Sequence, residues 1–421
     1  MGSAATAQDA VKIQSVGAME AQIPIAVPAF ATGPGAAAFG RDLASIIAAD
    51  LDFSGLFNIV PQVRYPKDFR GFSSDAGKID FIKWRETPAE HVVYGYVSLR
   101  GDTLVAECRL FDVLVSQQVV GKRLQSDPKW ARLLAHQFAD EIVHYLTGDM
   151  GIASTEICFS AGETGKKEIY IADYDAGRVT KVTSHGSISI KPKFSPDGQK
   201  VAYLSYKDGF PFLYIYDRTT GRSTPLSKRS GLNHAPAWAP NGRFLALCLS
   251  KDGNTEIYLK NADGTGERRL TSNRAGDTSP TFSPDARKIA FVSDRGGRPH
   301  VYTMNVDGSR VRRISVQGGN AFDPAWSPDG KSIAYVVEKS GEGLEIYLMD
   351  ADGKNSRRLS DSAGSNESPT WSPDSRHIMF LSTRAGISQL YTVTLETGIV
   401  RRVPRVANLR CQGPSWGPRR N

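Results

Sequence analysis

Through residues 153–421, short apolar runs alternate with turn residues, and the alternation returns at a fixed interval. Its clearest anchor is Pro-x-aromatic-small-Pro, which occurs six times. The aromatic positions are Phe194, Trp238, Phe282, Trp326, Trp371 and Trp416, separated by 44, 44, 44, 45 and 45 residues. A Ser-Pro-Asp-Gly-like turn follows, then an apolar run such as Val201-Ala-Tyr-Leu, Ile289-Ala-Phe-Val or Ile333-Ala-Tyr-Val. A second run comes next, as in Glu256-Ile-Tyr-Leu, His300-Val-Tyr-Thr, Glu345-Ile-Tyr-Leu and Gln389-Leu-Tyr-Thr. An Asp-Gly turn then leads to Arg268-Arg-Leu-Thr, Arg312-Arg-Ile-Ser or Arg357-Arg-Leu-Ser. Proline sets φ in these turns and glycine supplies the positive φ that lets the chain reverse. Four short strands per repeat is the signature of a β-propeller blade. Residues 153–183 supply only the last three strands of a blade, and Pro414-Ser-Trp416 offers the missing first one. The pattern therefore predicts six blades, with the ring closed by both chain ends and no open edge left behind.

Residues 22–148 follow a different grammar. Ile23 to Phe30 reads as a buried strand, and Ala36 to Leu51 as a helix with Phe39, Leu43, Ile46, Ile47 and Leu51 on one face. His91–Arg100 and Thr103–Phe111 alternate around Gly101-Asp102 and predict a hairpin. Asp127 with Pro128 opens a second helix, whose expected buried stripe is Trp130, Leu133, Leu134, Phe138, Ile142 and Tyr145, and Gly148 ends it. The expected organisation is multidomain: a tail at 1–21 beginning with an added Met1-Gly2-Ser3 leader, an α/β domain at 22–148, and an all-β propeller at 149–421.

Charge sharpens the picture. Residues 1–150 carry 14 basic and 17 acidic side chains, and residues 151–421 carry 38 and 27. A basic half raises a nucleic-acid reading. The repeat instead places much of that charge in the Arg pairs of the outermost strands, where charge discourages edge-to-edge pairing. No interleaved aromatic–basic run of an RNA-binding module is present. The longest apolar stretch falls far short of the roughly 20 residues a spanning helix needs, so no membrane insertion is expected. Cys108, Cys158, Cys248 and Cys411 show no metal or redox spacing. Cys158 and Cys411 meet in the closing blade, but the repeat register sets them out of opposition.

Three motifs invite chemistry and are better read as structure. Gly413-Pro-Ser415-Trp-Gly417 matches a serine-hydrolase nucleophile pattern, yet only four residues follow it and none is acidic or histidine. Gly33-Pro-Gly35-Ala-Ala-Ala38 resembles a dinucleotide fingerprint, but a hairpin-rich region is expected after it instead of a βαβ unit. Asp350-Ala-Asp352-Gly353-Lys-Asn355 lacks the sixth-position Gly and twelfth-position Glu of a calcium loop and reads as a hairpin turn. No catalytic residue, metal ligand or cofactor site is assigned.

An α/β region followed by six blades with Trp326-Ser-Pro-Asp-Gly, Ile333-Ala-Tyr-Val, Glu345-Ile-Tyr-Leu and Arg268-Arg-Leu-Thr resembles the TolB family of the Tol–Pal cell-envelope system. The more specific likeness is N-terminal: Ile23-Pro-Ile-Ala-Val, Asp42-Leu-Ala-Ser-Ile-Ile, Arg109-Leu-Phe-Asp-Val, Val120-Gly-Lys-Arg and Leu146-Thr-Gly. The resemblance implies a non-enzymatic, monomeric periplasmic adaptor whose secretion signal has been removed. It further implies binding of the lipoprotein Pal at one propeller mouth and of TolA by the N-terminal tail, in support of outer-membrane integrity and cell division. The repeat register supplies a mouth, three to five residues before each inner-strand aromatic. There lie Asn233, His234 and Ala235; Asp277, Thr278 and Ser279; Phe322 and Asp323; and Asn366, Glu367 and Ser368. These positions break the repeat consensus, as loops that carry function do, and are the expected Pal surface. Gln8, Asp9, Val11, Lys12 and Ile13 are the expected TolA contacts. A propeller of a peptidase-like protein, or one that binds a sugar or a metal, is the alternative.

Overall fold

The computed structural model describes residues 11–12, 22–72, 75–316, 318–341, 343–360, 364–406 and 408–420. The chain divides into two compact units: residues 22–154, and residues 155–420 with Val11–Lys12. Gln8, Asp9 and Ile13 lie outside the described residues.

In the first unit, the strands run in the order Phe57–Ile59, Ile23–Ala26, His91–Arg100, Thr103–Asp112, Gln117–Ser126. Ile23–Ala26 is parallel to Phe57–Ile59 and to His91–Arg100, Ala31–Thr32 is also parallel to His91–Arg100, and the other pairs are antiparallel. Helix α1 (Ala37–Ser54) joins the first two parallel strands, so a βαβ unit stands where a hairpin-rich region was expected. Its glycine loop is filled by the protein itself. Gly33 donates to the Val97 carbonyl at 2.8 Å, and a Cβ there would fall 2.4 Å from the Tyr96 hydroxyl. That leaves an ordinary strand-to-helix loop.

Helix α2 (Phe81–Trp84) is a single turn. Asp127 accepts from Lys129 N, Pro128 opens a short 3-10 turn, and helix α3 (Ala131–Thr147) follows to a left-handed Gly148. The stripe on α3 differs from the expected one. Leu134, Phe138 and Ile142 are buried, but Trp130 and Tyr145 are exposed, and the polar His136 and Asp140 are buried in their place. Each has a partner, as a buried polar group requires. His136 Nδ1 lies 2.7 Å from Asp50 Oδ2 of α1. Asp140 accepts from Ala153 N at 2.7 Å and from Ser154 N at 3.0 Å, which ties residues 149–154 to α3 and makes them part of this unit.

The second unit is the six-bladed propeller. Blade 1 pairs Cys411–Arg419, from the C-terminus, with Thr155–Glu163, followed by Lys166–Asp173 and Val179–Lys181. Closure by both chain ends is thus borne out. Blade 2 comprises Ser189–Phe194, Lys200–Ser205, Phe212–Asp217 and Arg222–Ser227. Blades 3, 4, 5 and 6 begin with the inner strands Asn233–Trp238, Asp277–Phe282, Asn320–Trp326 and Asn366–Trp371. Val11–Lys12 adds a fifth strand to blade 6, antiparallel to its outermost strand, with Val11 opposite Val400 and Lys12 opposite Ile399.

The repeat motif explains the hairpins. In blade 2, Ser195 Oγ donates to Asp197 at 2.5 Å and accepts from Lys200 N at 2.9 Å, while Asp197 accepts from Gln199 N at 3.0 Å. Blades 4 and 5 repeat this with Ser283–Asp285 and Ser327–Asp329, and blade 6 with Ser372–Asp374. The turn's own side chains thus satisfy the backbone groups that reversing the chain would orphan.

Apolar faces pack between blades. Ala202, Leu204, Leu213 and Ile215 of blade 2 meet Leu245, Leu247, Leu249 and Tyr258 of blade 3. Each fully buried aliphatic side chain there contributes about 1.5–3 kcal/mol. Two of the repeat tryptophans bridge neighbouring blades: Trp238 Nε1 donates to Lys193 O at 3.1 Å, and Trp371 Nε1 to Ala325 O at 2.9 Å, each on the preceding blade.

The outer Arg pairs do more than guard an edge. In two pairs the first arginine reaches the next blade: Arg268 donates to Val306 O and Asp307 O at 3.3 Å, and Arg312 to Asp352 O at 3.1 Å. In two pairs the second turns inward, Arg269 to the buried Glu256 and Arg358 to the buried Glu345, both at 2.9 Å. The basic excess of this unit is therefore partly consumed as structural staples.

Candidate functional site

The six inner strands share one irregularity. Between the first and last pairs of each ladder the register shifts, with two residues set against one on the neighbouring strand. The extra residue always precedes the repeat proline and has positive φ: Lys191 (52°), Ala235 (51°), Ser279 (49°), Asp323 (43°), Ser368 (53°) and Gly413 (52°). A bulge of this kind re-aims a side chain. Five of the six residues have a Cβ, and a left-handed backbone costs such a residue roughly 1–2 kcal/mol. Strain repeated at equivalent positions of five of the six blades marks a site that the fold holds deliberately.

These residues line a cavity of about 650 Å³ inside the ring. Two storeys can be distinguished. The bulge residues form the upper ring, and Lys193, Ala237, Thr281, Ala325, Thr370 and Ser415, two positions further along, form the lower one. Along a strand that step is about 6.5 Å. Blade order around the ring follows the chain, with the inner strands of blades 1 and 2 closing the circle. Lys191 and Lys193 on blade 2 therefore stand diametrically across from Asp323 on blade 5, and Glu367 lies on blade 6 beside Asp323. The channel thus has a cationic wall and an anionic wall.

Both walls are built into the fold. Asp323 accepts from Ser279 Oγ at 3.2 Å and from Ser368 Oγ at 3.3 Å, one from each flanking blade. Burial raises the pKa of Glu367, and the neighbouring Asp323 carboxylate raises it further. Burial lowers that of Lys193. His234 is pushed down to about 4 by burial and by the Lys191 charge, so it is neutral at pH 7.

The eleven positions expected at the mouth fall into three groups. Ala235, Ser279, Asp323, Glu367 and Ser368 line the cavity. His234, Thr278 and Phe322 are half-buried beside it. Asn233, Asp277 and Asn366 are fully buried and tie the strand starts to other segments. Asn233 Oδ1 accepts from Ser227 Oγ at 2.8 Å, Asp277 from Arg295 Nη2 at 2.7 Å, and Asn366 Nδ2 donates to Glu345 at 3.2 Å. Reading the sequence missed Lys191 and Lys193, although Lys191 occupies the same offset before Phe194 that Ala235 occupies before Trp238. It also missed the buried Glu168, Glu256 and Glu345, whose recurrence at equivalent strand positions was a visible signal. Ser415, at the centre of the nucleophile-like pattern, is buried and accepts from Phe194 N at 3.4 Å, as a strand residue does. The four cysteines are free, and in the closing blade Cys158 pairs with Ser415 and Cys411 with Ala161.

Known proteins resemble the chain over both units. A family model described as the TolB amino-terminal domain matches residues 11–119, and one described as the TolB beta propeller domain matches 143–322 and 317–421. A Tol-Pal system protein TolB of Ruegeria sp. is 36% identical over 216 residues, covering 49% of this chain and 48% of that protein. Its counterpart from Dinoroseobacter shibae is 37% identical over 199 residues, covering 45% and 43%. The chain thus spans about half the length of the curated relatives it matches. The crystal structure of TolB from Acinetobacter baumannii superposes with a TM-score of 0.83 at 25% identity, covering 98% of this chain and 99% of that one.

Proposed function

This chain belongs to the TolB family, and on that premise we propose that it is a non-enzymatic periplasmic adaptor of a Tol–Pal system. It docks Pal at the propeller mouth and TolA through the N-terminal segment, and so supports outer-membrane integrity and cell division. The observation that carries the Pal half is the ring of strained, channel-facing bulges with fixed, opposed charge around an open cavity. Such a surface fits a protein loop, with His234, Thr278, Phe322 and the five cavity-lining residues as its contacts. Asn233, Asp277 and Asn366 serve it by holding the strand starts.

The TolA half concerns Gln8, Asp9, Val11, Lys12 and Ile13. Among the described residues, Val11 and Lys12 add to the outer edge of blade 6, paired with Val400 and Ile399. This edge is a place where strands add, and strand addition is a recurrent way of recognising peptides. Isothermal titration of the full chain with the soluble domains of its cognate Pal and TolA tests the proposal. Binding of both is expected; absence of heat and of co-elution with either partner overturns that half.

A further inference from the structure

Lys193 is the only ionisable group in the lower ring; its five companions are alanine, threonine and serine. Two of the hydroxyls are already engaged: Thr370 Oγ1 accepts from Trp416 N at 3.1 Å and Ser415 Oγ from Phe194 N. Among the described residues the Lys193 ammonium makes no ion pair and no hydrogen bond; Asp323, on the opposite wall one storey up, acts on it only through space. A cation held this way, largely out of water and without a partner, is electrostatically incomplete. The storey above is different. There Lys191 faces Asp323, which has Glu367 beside it. A free anion entering from that side must pass Asp323 and Glu367 before it reaches Lys193, and a bare metal cation leaves Lys193 unpaired. Only a ligand that carries both signs satisfies both storeys.

We propose that the channel receives an acidic side chain from the protein docked at the mouth, its carboxylate seating on Lys193, while a basic residue of the same segment meets Asp323 and Glu367. This rests on the reading of the mouth as a protein-docking surface and adds the chemistry of the segment that enters. Specificity then comes from an ordered acid–base pair, since the reversed order sets like charges together in both storeys. The two residues of that pair stand about one strand step apart, about 6.5 Å along the channel.

The test is calorimetric titration of the full chain with the soluble domain of its cognate Pal, for wild type, Lys193→Met and Lys193→Arg. Methionine keeps the volume and removes the charge, so the variant is expected to unfold at or above the wild-type temperature, which separates loss of binding from loss of fold. Lys193→Met is expected to bind about 30-fold or more weakly, as for truncation of one partner of a buried charge pair. Lys193→Arg should recover most of the loss. Equal affinity of Lys193→Met and wild type overturns the carboxylate seat and leaves the docking surface standing. If wild type does not bind Pal at all, the docking reading fails, and a second measurement judges the seat alone. The probe there is sodium glutamate, titrated against sodium chloride at constant ionic strength. A saturable shift of one side-chain lysine NMR signal, missing in Lys193→Met, supports the seat; the absence of any saturable shift overturns it.

Discussion

Asp374 offers a quantitative check on the turn chemistry that every blade repeats. Its side chain is only 9% exposed and lies 3.4 Å from His377 Nδ1. It accepts from Ser372 Oγ and, at 3.0 Å, from Arg376 N. Burial alone would raise its pKa, but the hydrogen bond and charge of His377, followed by Ser372 and Arg376, prevail and hold it down at about 2, against an ordinary 3.8. A carboxylate depressed in this way stabilises the fold above the unfolded-state pKa, and that contribution is lost as pH falls toward the folded-state value. The full difference corresponds to about 2.4 kcal/mol, of which about 1 kcal/mol is already gone at pH 3. Urea unfolding at pH 6 and pH 3, followed by tryptophan fluorescence, is the assay; the Trp416 ring sits 6.4 Å from His377 and reports on the site. Asp374→Asn is expected to cost about 1–2 kcal/mol at pH 6 and to lose about 1 kcal/mol less than wild type between pH 6 and pH 3. Asp285→Asn, in the equivalent but exposed turn of blade 4, should cost less than about 1 kcal/mol. Parallel pH dependences for Asp374→Asn and wild type would refute the assignment.

Four further outcomes are expected. Glu345→Ala leaves Arg358, Ser360 and Asn366 without their shared acceptor, and should destabilise the propeller by about 2–3 kcal/mol, read from the urea midpoint. Trp416→Phe removes the buried donor to Thr155 Oγ1 at 2.8 Å in the closing blade and should cost about 1 kcal/mol by the same measurement. Ending the chain at Arg410 deletes the inner strand of blade 1 and should make residues 155–181 hypersensitive to limited proteolysis; unchanged protection would argue against closure by the C-terminus. With His234 pushed down to about 4, its titration should add nothing to the pH dependence of Pal affinity between pH 8 and pH 5.5, so His234→Ala should leave that profile unchanged; a step near pH 6.5 that His234→Ala abolishes would contradict its burial.

Much of this architecture is readable along the chain, because blade strands and hairpin turns are local. A strand's alternation and the Ser-Pro-Asp-Gly turn are complete within a dozen residues, and six copies in phase give blade count and closure without any distant contact. Local reading failed where facing was decided elsewhere. Trp130 and Tyr145 fit the helical stripe but are exposed, while His136 and Asp140 are buried because α1 and the 149–154 segment bring partners to them. The Arg pairs read as edge charge until the next blade's carbonyls and the buried glutamates meet them.

Sequence by itself thus determined the ring: its six blades, its closing strand and the loops that gather at one mouth. Only the tertiary structure decided what the mouth is made of. The left-handed bulge before each proline selects which side chain turns into the channel, and a period-two pattern cannot reveal it because the bulge interrupts that period. Lys191, Lys193, Asp323 and Glu367 become one electrostatic site only when the circle closes and sets blade 2 opposite blade 5, for charges interact through space and not along the chain.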